Sequence, residues 1–272
     1  MQISFIGGGN MARAIISGLK NHHFNMRDIS VVEPDAKKRI LLNRELGVQV
    51  YDNIDEILNT NTIVLAVKPQ QLKDVCLKIA SLFNTSLVKN QLVISIAAGI
   101  KSTNIASWLP NTAVVRVMPN TPAQIQAGVS ALYATPNVSA VQREQATTIL
   151  SAVGATLWLD NEAKMDAVTA ISGSGPAYVF YLIEALQEAA CDLGLLPDEA
   201  KLLALQTFAG ASLLAAQSAE DVKILRSQVT SKGGTTEQGI LALEAADIKS
   251  IMKRATKAAA DKSALLGGLL GK

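Results

Sequence analysis

The sequence predicts an α/β protein: a Rossmann-type, doubly wound parallel sheet over residues 1–160, followed by an all-helical domain over 161–272. Three observations carry this. Short Val- and Ile-rich runs alternate with amphipathic segments up to Asp160, a glycine-rich turn follows the first run, and beyond Asp160 Ala and Leu recur at helical spacing.

The strand candidates, in order, are "ISFIG" (3–7), "ISVVE" (29–33), "VQVY" (48–51), "TIVLAV" (62–67), "LVISIA" (92–97) and "AVVRVM" (113–118). Four are nearly continuous apolar runs, the pattern of strands buried on both faces of a parallel sheet. The segments 10–21, 35–46 and 69–82 are long enough for crossover helices. In the second half, Ser174 and Pro176 suit a helix start, with Ser174 as N-cap, while Gly194 followed by Pro197 suits a stop and a restart. About five helices are expected there. A helical domain this small and apolar completes its core against a second copy of itself, which predicts a homodimer.

Composition narrows the function. Of 272 residues, 49% are hydrophobic and 18% charged, enough for a substantial core. The formal net charge is +2 with no long Lys/Arg run, which argues against a nucleic-acid partner. The apolar run "LVISIAAGI" (92–100) has nine residues, far short of the roughly 20 of a membrane span. The N-terminus lacks the charged n-region and cleavage site of a signal peptide. The chain therefore reads as soluble and cytoplasmic. Cys76 and Cys191 are isolated thiols, pointing to neither a disulfide framework nor a metal site.

"FIGGGNMA" (5–12) follows the first strand and opens the first helix. Gly7 and Gly9 fill the first two positions of GxGxxG, and Ala12 the third. The first allows the tight turn, the second lets a pyrophosphate approach, and the small third residue lets helix pack on strand. The phosphates would lie on the positive end of the helix that starts near Asn10. Glu33, 26 residues after Gly7, suits an adenosine ribose hydroxyl and leans towards NADH, whereas Lys37, Lys38 and Arg39 lean towards NADPH. "AVKPQ" (66–70) and "MPNTP" (118–122) fall at the carboxyl ends of predicted strands, the ligand edge of such sheets.

The usual proton carriers are missing. His22 and His23, the only histidines, end the first helix away from that edge, so an alcohol dehydrogenase lacks its base. "SGSGPAYVF" (172–180) is not GxSxG, and no histidine is placed to activate Ser174. Between Gly175 and Asp192 there is neither Lys nor Asn, where a β-hydroxyacid dehydrogenase would be expected to carry its catalytic Lys.

"VTSKGGTTEQG" (229–239) sets Gly233 and Gly234 among the hydroxyls of Thr230, Ser231, Thr235 and Thr236. Thr235 and Gln238 have the spacing of a capping box, so a helix should start near 236. Exposed amides before it make either a cradle for a small anion or an ordinary turn between helices.

Together "IGGGNMA", "AVKPQ", "RVMPNTP" (116–122), "DAVTAISGSGPAY" (166–178) and "LRSQVTSKGGTTEQGI" (225–240) resemble pyrroline-5-carboxylate reductase nearly end to end. In one departure, Lys232 stands where the family pattern commonly has Pro. The resemblance implies that NADPH or NADH delivers hydride to C5 of 1-pyrroline-5-carboxylate, forming L-proline in the last step of proline biosynthesis. A protonated C=N is already electrophilic, so the absent base is no obstacle. By the same resemblance, Gly7, Gly8, Gly9, Asn10 and Met11 meet the cofactor's phosphates, with Glu33, Pro34 and Asn53 towards the adenosine. Ala66, Val67, Lys68, Pro69, Ala98 and Asn120 lie nearer the nicotinamide. Substrate contacts map to Glu162, Gln228, Ser231, Gly233, Gly234, Thr235 and Thr236. The amides of Gly234 and Thr235 are assigned to the carboxylate and the Thr236 hydroxyl to the ring nitrogen. Glu162 favours the iminium electrostatically, or simply caps a helix start. The resemblance also implies an intertwined homodimer with the active site near its interface, and admits a ring of dimers. Two other readings stand beside it: a reductase of another imine or hydroxy acid, and a non-catalytic NAD(P) sensor that binds a partner protein.

Overall fold

The computed structural model describes residues 1–56, 60–82, 91–109 and 112–271. The chain forms two compact units, Met1–Ser174 with Ala259–Lys272, and Gly175–Ala258.

The first unit opens with β1 (Ile3–Ile6), α1 (Asn10–Asn21), β2 (Ile29–Val32), α2 (Ala36–Leu46) and β3 (Gln49–Tyr51). It continues through β4 (Thr62–Leu65), α3 (Pro69–Leu82), β5 (Leu92–Ser95), α4 (Ser102–Trp108) and β6 (Ala113–Met118). β7 (Gly128–Ala134), α5 (Ala140–Ser151), β8 (Gly154–Trp158) and the short α6 (Met165–Val168) follow. The strands make one sheet in the order β3-β2-β1-β4-β5-β6-β7-β8. β1 to β6 are mutually parallel, with Ile6 opposite both Val32 and Leu65. β7 runs antiparallel to β6 and parallel to β8.

Alternation along each strand divides the core between the two faces. Ile3, Phe5, Val31, Val64 and Ile94 pack with Ile15 and Ile16 of α1, Leu42 of α2 and Ile149 of α5. Ile6, Val32, Ile63, Leu65 and Val93 pack with Leu72, Cys76 and Ile79 of α3 and Ile105 of α4. Each fully buried Ile or Leu contributes about 2 kcal/mol. Burial pushes the Cys76 thiol up to about 12, which keeps it protonated and inert.

All six expected strands form, each within its expected segment. β7 and β8 were not among them. "GVSALYA" and "GATLW" are short and rich in Gly, Ala and Ser, so their strand signal is weak. Ser174 is not an N-cap. Its backbone is helical (φ −84°, ψ −22°) and its N–H donates to the Thr169 carbonyl, so a π turn over Thr169–Gly173 carries α6 straight into the next helix.

The second unit holds α7 (Gly175–Asp192), α8 (Pro197–Gln217), α9 (Val222–Gln228), α10 (Thr235–Ala245) and the start of α11 (Ile248–Leu270). Gly194 (φ 94°) and Pro197 at the first position of α8 make the expected stop and restart. α7 and α8 pack side by side, yet α7, α9 and α10 bury no residue. Large apolar side chains stand exposed, Leu193 by 86% and Tyr181 by 71%.

The last turns of α11 belong to the first unit. Ser263 is buried and its hydroxyl donates to Asp166 Oδ1 at 2.7 Å, and Asn104 Nδ2 donates to the Gly271 carbonyl. A Cβ on Gly267 would stand 2.6 Å from the Gly99 carbonyl oxygen. Gly267→Val should therefore push α11 off the 96–101 loop and lower stability by about 2 kcal/mol, measured by urea unfolding.

Candidate active site

Because β1 to β6 are parallel, the loops that leave their carboxyl ends share one edge of the sheet. The order reverses between β1 and β4, and there the crevice of an open α/β sheet forms. Gly7 sits at that point with φ +101°, and its N–H donates to the Val32 carbonyl. A Cβ on it would lie 2.7 Å from the Ala66 carbonyl oxygen, so only glycine fits. A Cβ on Gly8 would meet Leu42 Cδ1 at 2.6 Å. Gly9 differs: a Cβ there would meet nothing within 4 Å. The space against its backbone is open, and α1 starts at Asn10 with no side-chain cap. Among the described residues, no protein acceptor meets the N–H groups of Asn10 and Met11. Open space, uncapped amides and a helix dipole fit a pyrophosphate.

Glu33 ends β2, but its carboxylate is already engaged. Oε2 accepts from Gly8 N–H at 3.0 Å and Oε1 from Asp35 N–H at 3.1 Å, and the side chain is buried. It thus ties the glycine turn to the β2–α2 turn. Asp35 caps α2 by accepting from the Lys38 and Lys37 amides, which hold its carboxyl below the usual value. Arg39 donates to the carbonyls of Glu33 and Pro34, leaving Lys37 and Lys38 exposed beside exposed Pro34. Asn53 Oδ1 accepts from Lys78 Nζ at 3.0 Å.

Ala66 and Val67 are half-buried after β4, Lys68 is exposed, and Pro69 opens α3. Ala98 is exposed after β5. Asn120, after β6, uses Oδ1 to accept from Val129 N–H at 2.9 Å, which braces its loop against β7.

Glu162 is not a free carboxylate, nor a cap on its own helical turn; Asn161 does that, accepting from Ala163 N–H. Glu162 Oε1 accepts from Ser102 N–H at 2.7 Å and from Arg116 Nη1 at 2.9 Å, while Oε2 accepts from the Ser102 hydroxyl at 2.7 Å. The Arg116 side chain is 5% exposed. This buried pair pins the start of α4, and with it the 96–101 loop, to β6. Arg116 and Ser102 escaped the sequence reading, although Arg116 opens the "RVMPNTP" motif.

In the second unit the 229–239 turn forms as follows. Gly233 takes φ +74°, and Gly234 is the N-cap of α10 without a side-chain cap bond, so the expected Thr235–Gln238 capping box does not form. Glu237 Oε2 instead accepts from Gly233 N–H at 2.7 Å. Gly234 N–H donates to the Ser231 carbonyl, so it is not the free donor the sequence suggested. Among the described residues, no acceptor meets the N–H groups of Thr235 and Thr236, both exposed. The Thr230 hydroxyl donates to the Arg226 carbonyl and Gln228 Nε2 to Glu220 Oε2, at 2.6 Å each. Ser231 is exposed.

A parallel sheet with an open glycine turn at its switch point, followed by a helical unit, defines an NAD(P)-dependent oxidoreductase. Residues 2–99 match the family model for NADP oxidoreductase, coenzyme F420-dependent, and residues 162–266 match that for pyrroline-5-carboxylate reductase dimerisation. The chain is 43% identical over 272 residues to pyrroline-5-carboxylate reductase of Pseudomonas aeruginosa, covering 99% of this chain and 98% of that one. Its structure is similar to that of pyrroline-5-carboxylate reductase from Coxiella burnetii, with TM-score 0.92, 40% identity and coverage of 97% and 98%. It is also similar to Plasmodium falciparum pyrroline carboxylate reductase with NADP bound, with TM-score 0.85, 28% identity and 98% of both chains covered. The chain belongs to the pyrroline-5-carboxylate reductase family.

Two outcomes are expected. A Cβ on Gly9 meets nothing in the protein, so Gly9→Ala should shift the melting temperature little while NADPH affinity, measured by fluorescence titration, falls about tenfold. Arg116→Met strands the Glu162 charge and should cost about 3 kcal/mol in chemical denaturation, with Arg116→Met/Glu162→Gln recovering part of the loss.

Proposed function

We propose that this chain reduces 1-pyrroline-5-carboxylate to L-proline with NADPH or NADH, the last step of proline biosynthesis, in the cytoplasm. The observation that carries this is the turn before α10, whose Thr235 and Thr236 amides are open to an acid group. Among the described residues, no helix is long and apolar enough to cross a membrane.

Residues 1–160 serve the cofactor and 161–272 the substrate and the dimer. Gly7, Gly8, Gly9, Asn10 and Met11 would hold the cofactor's pyrophosphate, with Glu33, Pro34 and Asn53 towards its adenosine and Ala66 to Pro69, Ala98 and Asn120 towards its nicotinamide. When bound, the dinucleotide would supply a hydride to C5 of the protonated imine, whose C=N electron pair passes to the nitrogen and leaves it a neutral amine. The turn at Ser231–Thr236, together with Gln228, orients the substrate through its carboxylate. The Thr236 hydroxyl, exposed in the first turn of α10, hydrogen-bonds the ring nitrogen as it becomes an amine. Glu162 acts by position: with its charge compensated by Arg116, it fixes the start of α4 and so the loop that carries Ala98. The uncovered apolar helix faces support a homodimer, from which a ring of dimers is a further step.

Thr236→Ala should lower kcat/KM roughly a hundredfold while NADPH affinity stays unchanged. Turnover is followed as loss of NADPH absorbance with 1-pyrroline-5-carboxylate, and unaltered turnover would remove Thr236 from the chemistry. Repeating the assay with NADH ranks the two cofactors, and a reverse assay with hydroxy acids tests the rival substrate class.

A further inference from the structure

The turn that precedes α10 carries a carboxylate of its own. Glu237 lies at the third position of α10 and is half-buried, whereas Thr235, Thr236 and Gln238 around it are exposed. Its Oε2 accepts from Gly233 N–H at 2.7 Å, and Gly233 is the residue that takes the left-handed conformation. Without that acceptor, Gly233 is held only by its neighbours, and a glycine samples both signs of φ freely. Lys232, just before it, adds no restraint. Its N–H meets no acceptor among the described residues, and it is not among the positive-φ residues. A proline at 232 would narrow the backbone by its ring; a lysine does not.

We propose that Glu237 is a positioning residue for substrate binding. By holding Gly233 N–H it fixes the left-handed bend that leaves the Thr235 and Thr236 amides facing outward, and so supplies from the side chain the rigidity that position 232 does not supply from the backbone. The assignment presupposes that the turn binds the substrate's acid group, as proposed above. A rival role follows from the same contact: the carboxylate is an internal occupant that competes with the substrate's own.

The two roles separate in steady-state kinetics with 1-pyrroline-5-carboxylate at saturating NADPH. As a brace, Glu237→Ala raises KM about tenfold with kcat within about twofold and NADPH affinity unchanged. Glu237→Gln keeps an oxygen acceptor and holds KM within about threefold of the parent. In a Lys232→Pro background, Glu237→Ala changes KM by less than about twofold, because the ring already restrains the turn. The proposal is overturned if Glu237→Ala leaves KM unchanged, if Glu237→Ala and Glu237→Gln both lower it, or if the penalty is the same with proline at 232. Circular dichroism melts of all four variants show whether α10 stays folded. A silent Glu237→Ala beside a damaging Thr236→Ala sinks only the brace, whereas a silent Thr236→Ala removes the role of the turn itself.

Discussion

The backbone of Gly7 passes so close to the carbonyl of Ala66 that no side chain fits between them, and the architecture of the first unit is organised around that approach. It marks where strand order reverses. α1 packs on one face of the sheet and α3 on the other, so a crevice opens between the loops that feed them. The amides of α1 stand at its rim. Six parallel strands then deliver the other candidate cofactor loops to the same edge, without any residue having to reach across the sheet.

Loops at the carboxyl ends of parallel strands have no cross-strand ladder to steady them, and this chain steadies them with side-chain acceptors. Glu33 binds the Gly8 and Asp35 amides, Glu162 binds Ser102 and Arg116, and Asn120 binds Val129 N–H. Glu237 does the same for Gly233 in the helical unit. A carboxylate accepting backbone N–H bonds gives about twice the strength of a neutral acceptor. Residues that look like ligand contacts from their type and place in the sequence thus also tie together the loops of the candidate site.

That distinction explains what was legible beforehand. β1 to β6 could be read because burial on both faces demands unbroken Val and Ile, and the glycine turn because Gly7 admits no side chain and Gly9 leaves its backbone open. β7 and β8 could not, since Gly128, Ser130 and Ala131 leave little β-branched bulk to signal a strand. The Arg116–Glu162–Ser102 cluster joins residues up to 60 positions apart, and no local pattern encodes such a meeting. At Ser174 a good capping residue was overridden by a π turn that keeps the helix running. At 229–239 the glycines announced a turn, but which amides stayed free depended on the Ser231 carbonyl and on Glu237, neither of which a spacing rule reveals.

The final turns of α11 complete the unit that begins at Met1, through Ser263 to Asp166 and Gly271 to Asn104. The polypeptide therefore closes a circuit: the sheet-bearing unit lacks one wall until residues 259–271 have been translated. On the ribosome, the sheet emerges early but must wait, with the 96–101 loop uncovered, while the whole helical unit is made. The sheet is made before the helical unit and sealed after it, so a nascent chain arrested before codon 259 leaves the sheet-bearing unit unfinished.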